Sequence, residues 1–210
     1  MSFEPLVWPT SDLSCLSENC KQLFCSNLSR ENNVQPIPII PREKYSSLTK
    51  LLRITSLLFI FFLAKLRKFP WDKVYCKVRA VNYWIRLEQN FYFSEEFSFL
   101  LGNSPHIPKL VNNLNLFSHD EILRSKGRLG KCDLISWNLN NPIVLPRESF
   151  FTRLMIIDAH VSCKHMGVSS TLNAIRMRGI WISKARIMIK KNIILLHYLL
   201  KTKFFPGQVS

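Results

Sequence analysis

An eleven-residue apolar run, Ile54–Ala64 (ITSLLFIFFLA), stands between Arg53 and Lys65 and constrains this chain more than any other stretch. A membrane-spanning helix needs about 20 apolar residues. Extending this run meets Lys50 and Arg53 on one side and Lys65, Arg67 and Lys68 on the other. The length therefore predicts a buried core helix, around which the rest of the chain must pack. Tyr45, Leu48, Leu51, Leu52 and Thr55 fall at helical spacing and extend that helix from Glu43 to about Lys68, before Pro70 stops it. The alternative use of the same segment, over Leu51–Leu66, is an amphipathic or inserted helix at a membrane.

On either side of this helix the pattern divides the chain. Residues 1–42 carry Pro5, Pro9, Pro36, Pro38 and Pro41 and read as irregular. A second helical segment over Trp71–Leu101 places Val81, Trp84 and Ile85 on one stripe and ends at Gly102-Asn103-Ser104-Pro105, so residues 43–118 form a helical region. Within 119–147, Ile122–Leu129 reads as a short strand and turn, with Ile143-Val144-Leu145 as its partner in a β-hairpin. Residues 148–200 turn helical again, through Phe151, Leu154 and Ile157. Ser170 is the expected cap of a helix over Thr171–Arg178, and a last helix spans Lys184–Leu200 before the tail 201–210. The expected fold class is mainly α with one small β-hairpin.

Charge narrows the function. With 29 Lys+Arg against 14 Asp+Glu the formal net charge is +15, which points to a polyanionic partner. The excess is concentrated: residues 151–210 hold ten Lys+Arg and one acid, Asp158. Arg176, Arg178, Lys184, Arg186, Lys190 and Lys191 lie on the two last helical runs around Trp181. They are the expected phosphate contacts, salt-sensitive and independent of base sequence. Trp84, Gln89 and Trp181 are expected to pack rather than to touch a ligand. The six cysteines contain no C-x2-C pair, and Met1–Pro5 has neither a basic nor an apolar leader region. The expected setting is therefore intracellular, cytoplasmic or nuclear, with reduced thiols and no secretion.

Catalytic signatures are lacking in the sequence. Gly102, Gly127, Gly130 and Gly167 are isolated and make no phosphate-cradling loop. Asp72, Glu88, Glu95, Glu96, Asp120, Glu121 and Asp133 read as helix-surface or turn residues. Neighbouring Glu95 and Glu96 are expected to split into one solvated and one packed carboxylate. The expectation is a non-enzymatic chain.

The sharpest motif is His160-Val161-Ser162-Cys163-Lys164-His165, an H-x4-H pair whose imidazoles can share one zinc ion if the chain bends between them. Taken with Gly167, Thr171-Leu172, Arg176 and Trp181-Ile182, it resembles the zinc-binding N-terminal domain of retroelement integrases. Upstream, Gly127-Arg128-Leu129, Asn141–Pro146 and Leu154 resemble the β-hairpin that leads into that domain. Tyr45–Arg53, Trp84-Ile85 with Glu88-Gln89, and Ile122–Leu129 resemble the polymerase polyprotein of Pao/BEL-type LTR retrotransposons, between its RNase H-like region and its integrase.

The resemblance covers about residues 5–191. It implies a helical connector followed by a small helical integrase zinc-binding domain, with His160 and His165 as metal ligands. DNA, and integrase or other polyprotein segments, are the implied partners, with DNA-end binding as the implied role. Integrase catalytic carboxylates lie beyond this domain in the family, and no Asp or Glu follows Asp158 here. The chain departs from the family in one respect: the C-x2-C pair expected near Leu196 and Leu199 is missing, and no cysteine follows Cys163. Zinc is thus the implied cofactor of an incomplete site. Agreement stops near Lys191, as it would if the reading frame were lost there in a decayed or mis-predicted copy.

Overall fold

Helix α1 (Leu48–Lys65) forms where the apolar run predicts it, starting five residues later than expected. Its buried residues Leu48, Leu51, Thr55 and Phe59 follow i, i+3, i+4 spacing, so one stripe faces inward. Leu57 and Phe61 on the opposite face are exposed, as is Phe62 towards the end of the helix. This computed structural model describes residues 40–41, 44–65, 72–127 and 136–204. The expectations for residues 1–39, for Gly130 and for Asp133 lie outside the described residues. No helix among the described residues is long and apolar enough to cross a membrane.

Helix α2 (Lys73–Tyr92) packs along α1 and opens on Asp72, whose side chain accepts a hydrogen bond from the Val74 amide. The single helix expected over 71–101 is two: Phe93 leaves helical geometry (φ −121°, ψ 35°), and α3 (Ser94–Leu100) follows it. Val81, Trp84 and Ile85 are buried together, as their spacing predicts. The α2 positions also correct one expectation, since Glu88 is fully buried rather than on the surface. Trp84 stacks on Phe151 at 6.4 Å and donates its indole N–H to Thr55 Oγ1 at 2.9 Å, which makes it a packing residue.

After the short helix α4 (Lys109–Leu114) the chain enters a four-stranded sheet in the order β1-β2-β3-β4, where the sequence predicts one hairpin. The strands β1 (Leu116–His119) and β2 (Ile122–Ser125) are antiparallel, joined by Asp120 and Glu121 with φ of 52° and 58°. Past the short helix α5 (Trp137–Asn140), β3 (Ile143–Leu145) pairs antiparallel with β2 through Arg124 and Ile143, the pairing expected from sequence. The strand β4 (Ile180–Ile182) runs parallel to β3 and comes from between the last two helices.

Those helices are α6 (Phe150–Ser162), α7 (Gly167–Met177) and α8 (Ala185–Phe204). Ser149 caps α6, accepting from the Thr152 amide. Helix α7 begins at Gly167, so Ser170 lies inside its first turn and is not its cap. The positive φ of Gly167 (89°) swings the chain into that helix earlier than the Ser signal suggests. One buried cluster draws residues from α1, α2, β2, β3, α6, α7, β4 and α8, including Leu51, Trp84, Leu145, Phe151, Ile175, Ile180 and Ile189.

Candidate metal site and basic surface

His160 sits in the last turn of α6 and is buried, while His165 lies just beyond the helix and is exposed. The chain reverses between them because Lys164 and His165 both take positive φ (49° and 61°) and the His165 amide donates back to the His160 carbonyl at 3.1 Å. The two rings meet edge to face with centroids 4.7 Å apart, so the structure does bring the H-x4-H pair together.

Thr171, on α7, fixes the inner imidazole. Its hydroxyl donates to the Gly167 carbonyl at 2.8 Å, which leaves the oxygen to accept from His160 Nδ1 at 3.0 Å. That network assigns the proton to Nδ1 and leaves the Nε2 lone pair free to act as an acceptor or ligand. Burial, and then the neighbouring His165, hold His160 below the ordinary histidine pKa, so its neutral form is favoured. An outer hydrogen bond that sets the tautomer of a neutral imidazole is the usual support of a metal-binding histidine.

Structural zinc takes four ligands. No group of three or more His, Cys, Asp or Glu able to hold a metal ion occurs among the described residues. Cys163 is half-buried and its thiol points to the Ser170 carbonyl at 3.6 Å. The His197 side chain lies outside the described residues.

The basic residues split into two groups. Arg178, at the end of α7, is bonded inward: it pairs with Asp158 at 2.9 Å and donates to Ser162 Oγ at 3.1 Å. It ties α7 to α6, which weakens its expected role in phosphate contact. Arg176, Lys184, Arg186, Lys190 and Lys191 are exposed along α7, the β4–α8 turn and α8. Trp181, expected to pack, is packed only in part. In the β4 triplet Ile180 and Ile182 are buried, and the strand's alternation turns the indole between them outward, 37% exposed.

A second cluster has no signal in the sequence. The Arg124 guanidinium lies 4.6 Å from the Trp137 ring centroid and donates to Asn138 Oδ1 and the Asn141 carbonyl, with His119 4.7 Å from the same indole. Burial lowers the Arg124 pKa, offset by nearby Asp120. The cluster clamps β2 onto α5. Of the paired glutamates, Glu95 is exposed and Glu96 partly buried, as their helical spacing predicts. No protein-family model matches the chain, and no curated protein or solved structure does so at a significant level.

Proposed function

We propose that this chain is a fragment of a Pao/BEL-type retrotransposon polyprotein. In this reading a connector precedes an integrase zinc-binding-like domain that binds nucleic acid in the context of DNA integration and performs no catalysis of its own. The observation that carries the reading is the His160–His165 pair, closed by a left-handed turn and steadied by Thr171, with each of these residues at its motif position. The charge supports the partner: residues after Asp158 hold nine Lys+Arg and no acid, and Asp158 itself is engaged by Arg178.

Binding through Arg176, Lys184, Arg186, Lys190 and Lys191 would be electrostatic and indifferent to sequence. Five phosphate contacts give a slope of log affinity against log salt of roughly −4 on duplex DNA. Reversing Lys190 and Lys191 to Glu should flatten that slope by about 2, whereas an unchanged slope would remove this surface from the reading. A second reading draws on the exposed Leu57, Phe61 and Phe62 of α1, which suit a membrane surface. Flotation with anionic liposomes that survives high salt and requires residues 54–64 would favour it. A frame lost near Lys191 predicts that another frame of the downstream DNA encodes a C-x2-C pair.

A further inference from the structure

We propose that Trp181 is a stacking platform for an unpaired base, so that the nucleic acid held by this surface is single-stranded or frayed where it meets β4. The inference rests on the nucleic-acid reading above and specifies the strandedness of the partner. Three observations carry it.

The first is rigidity. β4 is registered against β3 at all three positions, Ile143 with Ile180, Val144 with Trp181 and Leu145 with Ile182, and both flanking isoleucines are buried. Gly179, just before the strand, approaches Asn138 so closely that a Cβ there would stand 2.8 Å from the Asn138 carbonyl oxygen. The backbone that presents the indole is therefore fixed, and ordering it costs little on binding.

The second is the surface itself. A tryptophan at the middle of a core-facing strand would ordinarily be turned inward. Here the alternation sends the large aromatic ring out and the two smaller side chains in. Met177 and Ile187, four residues before and six after Trp181, are exposed apolar side chains as well.

The third is charge. Arg176, Lys184 and Arg186 are exposed within five residues of Trp181 on either side, and Lys190 and Lys191 continue the series on α8. A protein partner with an apolar patch would leave these cations without counter-charges. A strand of nucleic acid supplies both a backbone for the cations and bases for the indole. Every base presents a π-face, so the contact tolerates any sequence. In an intact duplex those faces are already stacked, and the indole has nothing to engage.

The test uses the full chain with two labelled probes, a 20-nucleotide oligo-dT and a 20-base-pair duplex, at fixed salt. Trp181→Leu keeps apolar cover over the strand but has no π-face; Trp181→Phe keeps a smaller ring. Expected are a loss of roughly tenfold for Trp181→Leu on oligo-dT, about the worth of one base–aromatic stack, a smaller loss for Trp181→Phe, and duplex binding changed less than about twofold. Oligo-dT should also quench the part of the indole emission that Trp181→Phe removes, a readout that does not depend on the leucine variant folding. Equal losses on both probes, no loss on oligo-dT, or no quenching of that emission would overturn the stacking role and leave the nucleic-acid reading standing. Wild-type chain that binds neither probe in a salt-sensitive manner would overturn both.

Discussion

Gln89 pairs with Leu123 as though it were a piece of strand: the Leu123 amide donates to Gln89 Oε1 at 2.8 Å, and Gln89 Nε2 donates back to the Leu123 carbonyl at 2.9 Å. The same Nε2 reaches the Val144 carbonyl at 2.7 Å, so one buried side chain from α2 stitches β2 to β3. The strands are in register at Arg124–Ile143, the Ser125 and Gly127 amides continue the pairing by donating to the Pro142 and Asn140 carbonyls, and Gln89 supplies hydrogen bonds on the other side of that register, at Leu123 and Val144. Gln89→Leu would leave one amide and two carbonyls buried and unsatisfied. Each such group costs roughly 1–3 kcal/mol, so the expected loss is about 3 kcal/mol or more, read as a fall in the urea midpoint. A loss below about 1 kcal/mol would mean that water or a strand shift replaces the glutamine.

Thr55 does similar work between helices. Its hydroxyl donates to the Leu51 carbonyl at 2.8 Å and accepts the Trp84 indole N–H at 2.9 Å, all within the core. Thr55→Val preserves the shape and deletes both bonds, leaving the indole N–H without an acceptor. The expected cost is about 1–2 kcal/mol, and Thr55→Ser should recover most of the hydrogen-bonding part. If valine and serine variants unfold at the same denaturant concentration as wild type, the bond contributes nothing.

These two residues show where the sequence is legible and where it is not. The α1 and α2 stripes follow from apolar spacing, because burial of a helix face is a periodic demand that composition reveals. Glu88 breaks that rule, since a charged residue on a helix reads as solvated and this one is fully buried; Gln89 packs as expected, but the backbone groups of β2 and β3 that it bonds have no local signal. β1 is hidden by its turn, which uses Asp120-Glu121 at positive φ where Asn-Gly would be the recognisable pair. β4 is hidden by its brevity, three residues whose pairing partner lies 37 positions upstream in β3. The histidine pair was legible as a motif, whereas its support by Thr171 and the inward bonding of Arg178 depend on how α6 and α7 dock. Nothing local encodes that.

Gly179 should be the least replaceable residue around β4. Its φ of 68° disfavours any L side chain, and a Cβ would stand 2.8 Å from the Asn138 carbonyl oxygen and 3.2 Å from its carbon. Backbone cannot swing aside as a flexible side chain would. Gly179→Ala should therefore destabilise the fold by about 2 kcal/mol or more, combining left-handed strain with the clash. A thermal scan with an unchanged midpoint would show that α5 moves freely from β4.

Zinc content tests the histidine pair. Two imidazoles cannot supply the four donors of a structural site, and no third donor joins them among the described residues, so the purified chain should retain well under one zinc per molecule after dialysis. The double variant Leu196→Cys/Leu199→Cys restores the pair that the family resemblance calls for. It should bind zinc tightly and melt at a higher temperature with metal than without, since metal binding is then coupled to folding. Stoichiometric zinc in the wild type would show that ligands beyond His160 and His165 exist. A double variant indifferent to zinc would count against the resemblance itself.

Glu96 sets a pH dependence whose sign can be worked out. Burial raises its carboxyl above the ordinary 4.5, a hydrogen bond from its own backbone amide opposes this, and the charge of Glu95 adds to the rise. Between 4.5 and the raised native value, the folded chain holds a proton that the unfolded chain has released. Stability must then fall as pH rises through that window, and the loss persists at neutral pH. Glu96→Gln is neutral at every pH and escapes this loss. At pH 7 the variant should melt higher than wild type by about one to a few degrees, the scale of a sub-kilocalorie change in a domain this size. The advantage should shrink as pH falls and vanish below about 4.5, where both side chains are uncharged. Equal melting at pH 7 with a difference appearing only in acid would reverse the sign and place the charged form of Glu96, rather than the neutral one, as the form the fold prefers.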